Sequence, residues 1–283
     1  MHNGDQSISN SDLGRLRALI YAQSGINLSA EKKTMLELRL KPRLRLLAID
    51  SYREYCDYVF SKRGQLDEIV PLLDAVTTNK TDFFREPGHF EYLIRQAVPE
   101  IMSGNTSGRP LLAWSAGCSS GEEPYTLAIV LSEYANAHPG FRFRLLATDL
   151  CTTVLEKARL AVFNAEVAAP VPSELRRKYF MRSRDRGSKQ MRIVPELREL
   201  VEFRRLNFMD SDYCLQEKMD VIFCRNVIIY FDRATQENIL RKLARQLAPG
   251  GTMFLGHSES LSGMDVPLAA VAPSTYRKPY GGI

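Results

Sequence analysis

LLAWSAGCSSGEEPYTLAIVLSEYANA, residues 111–137, decides the fold. A short apolar run over 111–117 meets a turn punctuated by Gly117 and Gly121, and apolar residues then recur at helical spacing through 121–137. This reads as a buried strand, a tight turn and a helix. RFRLLATD at 142–149 repeats the strand signal, and CTTVLEKARLAV at 151–162 repeats the helical one. Further on, DVIFC (220–224), ATQENILRKLARQL (234–247) and TMFLG (252–256) add strand, helix and strand. The spacing predicts an α/β fold with a mostly parallel sheet and right-handed crossovers.

Between the two halves, residues 164–200 carry Pro170, Pro172 and Pro195, a short helix SELRRKYF, and two β-like runs, YFMR and QMRIV, around the polar SRDRGSK. This is read as an inserted hairpin subdomain. Upstream the periodicity is helical to about residue 103. SDLGRLRALIYAQSG is capped by Ser11 or Asp12 and ended by Gly25. A helix opened by Ser29 contains Pro42, SYREYCDYVFSKRG follows Asp50 or Ser51, and LDEIVPLLDAV begins at Asp67. The expected division is a helical unit, 1–76, and a larger domain, 77–283, with the loop GNTSGRP at 104–110 preceding the first strand.

Composition narrows the class. Across 283 residues, 45% are hydrophobic and 25% charged, which excludes a disordered, collagen-like or disulfide-scaffold chain. The opening MHNGDQSISN lacks the basic flank and apolar core of an export signal. DVIFCRNVIIYF at 220–231 is broken by Arg225 and falls far short of the roughly 20 residues of a membrane helix. Five scattered cysteines without a CxxC pair suit a reducing cytoplasm. The net charge of +5 is concentrated in EKKTMLELRLKPRLRLL, 31–47, where Lys32, Lys33, Arg39, Lys41, Arg43 and Arg45 oppose only Glu31 and Glu37. Leu36, Leu40, Leu44 and Leu47 recur at helical spacing, so this is an amphipathic helix with a basic face.

Ligands of parallel α/β sheets bind beyond the carboxyl ends of the strands. The Gly117–Gly121 turn lacks the lysine of a phosphate loop, and Glu122 and Glu123 would repel a pyrophosphate and suit a cation. The alternative for these acids is compensation of the helix dipole. Asp149 ends the second strand, where an acid receives ribose hydroxyls; its alternative is an N-cap for the next helix. Asn207 and Asp210 in RRLNFMD are available to the edge of a base, and CRNVIIYF sends Arg225, Asn226 and Tyr230 into the crevice. TTNKTDFFRE, 77–86, is too polar for a core helix, with Phe83 and Phe84 free to enter the core. Cys118 and Cys224 read as packed strand-end residues. His257 has no second His or Cys nearby in sequence and is read as bonding backbone; no metal is expected. Ser258 and Glu259 lack a base-and-orienter pattern for nucleophilic catalysis.

Taken together, TTNKTDFFRE, WSAGCSSGEEPYTLA, ATDLCTTVLEKAR, RRLNFMD, DVIFCRNVIIYF and LAPGGTMFLGHSESL resemble, in order and spacing, the CheR family of S-adenosylmethionine-dependent chemoreceptor glutamate methyltransferases, over about residues 13–277. The resemblance implies a Rossmann-like class I methyltransferase fold with a small N-terminal all-helical domain and an inserted antiparallel β subdomain. It implies methyl transfer from S-adenosylmethionine to receptor glutamates in the cytoplasm, leaving methyl esters and S-adenosylhomocysteine. Asn79, Thr81 and Arg85 then cover the cofactor, with Arg85 by its methionine part. Glu122 or Glu123, together with Asp149, are the acidic ligands, and Asn207 and Phe208 lie beside the adenine. Arg225 and Asn226 form the strand-exit pair, and Tyr230, with Arg85, positions the reacting groups.

The implied partner is the cytoplasmic helical bundle of a chemoreceptor, met by Lys32–Arg45. Some members of the family capture a receptor C-terminal peptide on the hairpin, but RSRDRGSKQ holds only Gly187, which favours a tether-independent enzyme. Neither nucleic acid nor membrane insertion is implied, and no NPPY motif for amine methylation is present. The alternatives are a signalling adaptor that binds cofactor without turnover, and a methyltransferase for another acceptor.

Overall fold

A computed structural model describes residues 7–104, 108–185 and 187–281. Its helices are α1 (Asn10–Ser24), α2 (Lys33–Leu47), α3 (Tyr52–Phe60), α4 (Lys62–Asp67), α5 (Ile69–Val76), α6 (Gly88–Tyr92), α7 (Val98–Ser103), α8 (Glu122–Ala137), α9 (Thr152–Leu160), α10 (Ser173–Tyr179), α11 (Pro195–Arg198) and α12 (Arg233–Gln246). The strands are β1 (Leu111–Ala116), β2 (Phe143–Asp149), β3 (Val162–Asn164), β4 (Phe180–Arg182), β5 (Gln190–Ile193), β6 (Val201–Arg205), β7 (Met219–Cys224), β8 (Leu247–Leu255), β9 (Ala269–Ala272) and β10 (Thr275–Arg277).

All six residues of β1 are buried, as a strand covered on both faces requires. Its side chains alternate between two cores. Leu112, Trp114 and Ala116 join one; Leu111 and Ala113 join the other. β1 pairs in parallel with β2 on one side and β7 on the other. The large sheet has the order β6-β2-β1-β7-β8-β10-β9, and β10 runs antiparallel to both its neighbours. Counting this sheet's own strands along the chain, the order is 3-2-1-4-5-7-6, the Rossmann-like class I methyltransferase arrangement. Strand order reverses between β1 and β7, which places a crevice at their carboxyl ends. A second sheet, β3-β5-β4, is antiparallel and packs Phe163 and Phe180 against Phe83.

The N-terminal helices share a core with the sheet. Leu16, Ile20, Leu36, Leu40, Tyr55 and Leu72 belong to the same apolar cluster as Trp114, Ile222 and Leu240. Polar ties reinforce this. Arg43 donates to both carboxylate oxygens of Glu68 at 2.8 and 2.6 Å, and the Tyr55 hydroxyl adds 2.9 Å. Arg39 donates to the carbonyls of Val76 and Thr77 and to the Thr78 hydroxyl. Asp74, on α5, accepts from the backbone N–H and hydroxyl of Thr152 (2.9 and 2.6 Å) and of Thr153 (3.1 and 2.9 Å). It thereby caps α9 from another part of the chain.

Several sequence expectations shift. Ser9, not Ser11 or Asp12, caps α1, accepting from the Asp12 N–H, while Gly25 ends the helix at φ 73° as expected. A 3-10 turn, Ala30–Lys32, intervenes between Ser29 and α2, and Pro42 sits within α2. Ser51 caps α3. Ser61 then caps a separate α4, so Asp67 closes a helix where it was expected to open one. The helix expected over 151–162 stops at Leu160, because Ala161 turns left-handed (φ 55°) and releases Val162–Asn164 to the small sheet. β9 and β10 were not foreseen. In the loop 104–110, residues 105–107 lie outside the described residues, as do 1–6 of the opening stretch and Arg186 of the hairpin loop.

Asp74→Ala removes four acceptor contacts at the α9 N-terminus. It is expected to destabilise the protein by about 2 kcal/mol, read as a lower urea midpoint, with Asp74→Asn intermediate; an unchanged midpoint would contradict the capping role.

Candidate functional site

The crevice at the carboxyl ends of β1, β2, β6 and β7 opens into a cleft, walled on its far side by residues 24–35 and 76–85. Ten of the eleven site residues that the family resemblance implies line it. Asn79, Thr81 and Arg85 come from the 77–86 segment; Glu123 and Asp149 from the α8 start and the β2 end. Asn207 and Phe208 follow β6, and Arg225, Asn226 and Tyr230 follow β7. Glu122 does not line the cleft. One residue along a helix is a rotation of about 100°, so Glu122 turns back to the Ser120 hydroxyl (2.7 Å) while Glu123 faces inward to the Ser115 hydroxyl (2.7 Å).

Arg225 organises one wall. Its side chain is only 1% exposed, and it meets Glu86 Oε2 at 3.3 Å, Glu123 Oε2 at 3.5 Å and the Arg85 carbonyl. The guanidinium carbon also stands 5.4 and 5.7 Å from the ring centroids of Phe90 and Phe223. Burial opposes ionisation of Glu86, but Arg225 and hydrogen bonds from His257 and Asn226 outweigh it, and the carboxyl titrates below its ordinary range. Burial pushes Glu123 up against the pull of Arg225.

Glu259 holds the turn after β7. Its carboxylate accepts from the backbone N–H groups of Asn226 (2.8 Å), Val227 (2.9 Å), Ile228 (2.9 Å) and Gly256 (2.6 Å). This pins Asn226 in the left-handed region at φ 58° and sets the single turn Ile228–Tyr230. Tyr230 is held again from the N-terminal side, its carbonyl accepting from the Asn27 N–H at 2.9 Å. Phe84 (φ 54°), Glu86 (φ 55°) and Ser119 (φ 50°) are also left-handed, so positive φ without glycine recurs around the cleft.

Asp149 is not the cap of α9, since Asp74 performs that role. One oxygen accepts from the Ser119 N–H at 2.8 Å and the other from the Cys151 N–H at 2.9 Å. Burial nonetheless raises its pKa. Each oxygen keeps a lone pair for a ligand. Asn207 spends its amide locally, donating to the Gln23 carbonyl and accepting from the Met209 N–H at 3.0 Å. Asp210 does not line the cleft; it accepts from the Asn207 N–H. Phe83 enters the core as expected, while Phe84 is only half-buried.

Six contributors to the site escaped the sequence reading: Glu86, Glu259, Ser119 and the wall residues Asn27, Lys32 and Met35. Glu86 ends the polar run TTNKTDFFRE, and Glu259 lies three residues beyond Gly256; neither pattern reveals a partner more than a hundred residues away, or a backbone one. Cys118 and Cys224 are buried, and burial pushes both thiols well up. His257 is not alone in space: the fold brings it to His89, whose ring centroid is 5.1 Å away, and to Glu86.

The donor set suits S-adenosylmethionine. Two carboxylates can accept from ribose hydroxyls or an amino group, apolar rings flank the cleft, and the cleft sits at the strand-order reversal.

Comparison with known proteins gives the same direction. The family model "CheR methyltransferase, all-alpha domain" matches residues 11–77, and "CheR methyltransferase, SAM binding domain" matches residues 79–276. A chemotaxis protein methyltransferase of Borreliella burgdorferi is 35% identical over 275 residues, 96% of this chain and 95% of its own length. Chemotaxis protein methyltransferase 2 of Pseudomonas aeruginosa is 38% identical, over 88% of this chain and 86% of its own. The Escherichia coli chemotaxis protein methyltransferase is 36% identical, over 92% and 87%.

Glu259→Ala strands four N–H groups, two of them fully buried, at the base of the site. A loss of about 3 kcal/mol or more is expected, measured by chemical denaturation; a change below about 1 kcal/mol would show that the turn holds without the carboxylate.

Proposed function

Since the chain belongs to the CheR methyltransferase family and is an S-adenosylmethionine-dependent methyltransferase of chemotaxis, we propose that it esterifies glutamate side chains on the cytoplasmic helical bundle of chemoreceptors. The reading takes residues 1–76 as a helical recognition unit and 77–283 as the methyltransferase domain, acting in the cytoplasm. No helix among the described residues is long and apolar enough to cross a membrane. The observation that carries the reading is that two acids, Asp149 and Glu123, line the same cleft as Tyr230 and Arg85, each on a segment that matches the family.

When bound, S-adenosylmethionine would supply an electrophilic methyl group on a sulfonium, which a glutamate carboxylate oxygen would take up as a new O–CH3 bond while the S–CH3 electron pair stays on sulfur, leaving S-adenosylhomocysteine. The acceptor glutamate is already ionised near neutral pH, so no general base is needed. The chain's task is positioning. Asp149 and Glu123 would accept hydrogen bonds from the cofactor's ribose and amino group, with Asn79, Thr81 and Phe208 enclosing the remainder. Asn207 would contribute position more than hydrogen bonds, because its amide is engaged with Gln23 and Met209. Arg85 would hold the methionine end. Tyr230 would orient the incoming carboxylate in line with the bond that breaks. Orientation and exclusion of water account for up to roughly 7–11 kcal/mol of barrier reduction in favourable cases.

For the receptor, α2 offers a narrower basic face than its sequence suggests. Arg39 and Arg43 are tied inward, and Lys32 lines the cleft. Lys41 and Arg45 remain exposed beside Leu38 (66%) and Leu46 (72%), a mixed surface fit for an acidic amphipathic helix. The enzyme is read as independent of a receptor C-terminal tether, since Gly187 is the sole glycine of the loop 182–190.

Incubation with methyl-labelled S-adenosylmethionine and receptor-bearing membranes is expected to give alkali-labile label released as methanol; stable label would move the acceptor to nitrogen. Tyr230→Phe is expected to lower kcat about tenfold or more with cofactor affinity kept within about twofold, and equal rates would remove Tyr230 from the chemistry. Reversal of Lys41 and Arg45 to Glu is expected to slow receptor methylation about tenfold at low salt while calorimetric cofactor binding stays intact. Parallel loss of both would indicate misfolding instead.

A further inference from the structure

Behind the Arg225 wall, Glu86, His89 and His257 place one ligand atom each within 4.8 Å of one another. Glu86 precedes α6, His89 lies in its first turn and His257 follows β8, so the cluster joins two distant parts of the chain. His89 Nδ1 stands 3.5 Å from Glu86 Oε2, and His257 Nε2 stands 3.9 Å from the same oxygen. These separations are too long for good hydrogen bonds. They are near the edge of about 3.3 Å that separates neighbouring ligands around a tetrahedral zinc ion with bonds of 2.0–2.1 Å.

A second observation points the same way. The His89 side chain is 4% exposed, and neither ring nitrogen has a partner in hydrogen-bond geometry. Buried polar atoms left in this condition call for a ligand. His257, 62% exposed, gives the group an opening to solvent and a place for a fourth, water ligand.

We propose that Glu86, His89 and His257 form a binding site for a divalent transition-metal ion of the zinc type. Two imidazoles and one carboxylate are a donor set for such an ion and not for magnesium or calcium, which take oxygens. The competing cation is Arg225, 3.3 Å from Glu86 Oε2. An ion at the site replaces Arg225 as the partner of that oxygen, while Arg225 keeps Glu123 and the Arg85 carbonyl, and Glu86 Oε1 keeps Asn226 and the His257 N–H. Occupancy is thereby coupled to the wall of the cleft. The inference is independent of the methyl acceptor.

The test is calorimetric titration of zinc chloride into the full chain carrying Cys214→Ser, which removes the exposed thiol as a rival ligand. One ion per chain is expected, with zinc K-edge absorption showing a nitrogen and oxygen shell. His257→Ala, whose thermal melt without zinc should match the parent because the ring is exposed, is expected to weaken binding about tenfold or more. Glu86→Gln should weaken it as well, and His138→Ala, on a remote histidine, should leave it unchanged. Absence of a saturable one-ion event, or equal affinity in the parent and His257→Ala, would overturn the site.

Discussion

Burial of the Arg225 guanidinium at the exit of β7 constrains everything around it. A charge so placed is tolerable only with compensation, and the chain provides it from separate regions: Glu86 from the polar segment before α6, Glu123 from the first turn of α8, and the Arg85 carbonyl. Removing any one would leave the others mismatched. The same contacts draw the 77–86 segment over the carboxyl ends of the strands, so the electrostatic requirement of one side chain also closes a side of the cleft. Glu259 performs the complementary task with backbone, fixing the turn from which Arg225, Asn226 and Tyr230 depart.

The N-terminal helices are a wall of the site and not an appendage to it. Their apolar residues sit in one cluster with Trp114 and α12. Asn27 bonds the Tyr230 carbonyl, Gln23 receives the Asn207 amide, and Tyr21 donates to Asp232 at 2.6 Å. The α2 surface proposed for the receptor and the wall of the cleft therefore belong to the same packed body, with Lys32 and Met35 of one segment reaching the cleft while Lys41 and Arg45 look outward.

Much of this was legible in the sequence because burial on both faces leaves an unambiguous mark. β1 and β7 carry the apolar runs LLAW and VIFC and β2 carries LLA, and the polar residues just after the strands announce the crevice. β3 was hidden because it starts on the last letter of LAV (160–162), which reads equally as the end of a helix until Ala161 turns left-handed. β9 and β10 are short, and β9 is largely exposed, so pairing and not pattern holds them. The choice between Glu122 and Glu123 depended on helix phase, which the two adjacent letters cannot express. Glu86, His89 and His257 escaped because their relation is purely tertiary: sequence distance was the wrong measure of proximity.

Around the cleft the backbone is held where side chains other than glycine resist going. Phe84, Glu86, Ser119 and Asn226 are four of the eight non-glycine residues with positive φ among the described residues. Each such conformation costs of order 1–3 kcal/mol, and the rest of the fold must offset it. Evolvability is affected accordingly. Glycine would relieve the backbone at these positions, yet at Glu86 it would strand the buried Arg225 charge, and at the others it would loosen the segments that carry Arg85 and Tyr230. A lineage selected only for heat resistance would meet this boundary first, whereas the two cores beneath the sheet could be repacked with little consequence for the chemistry above them.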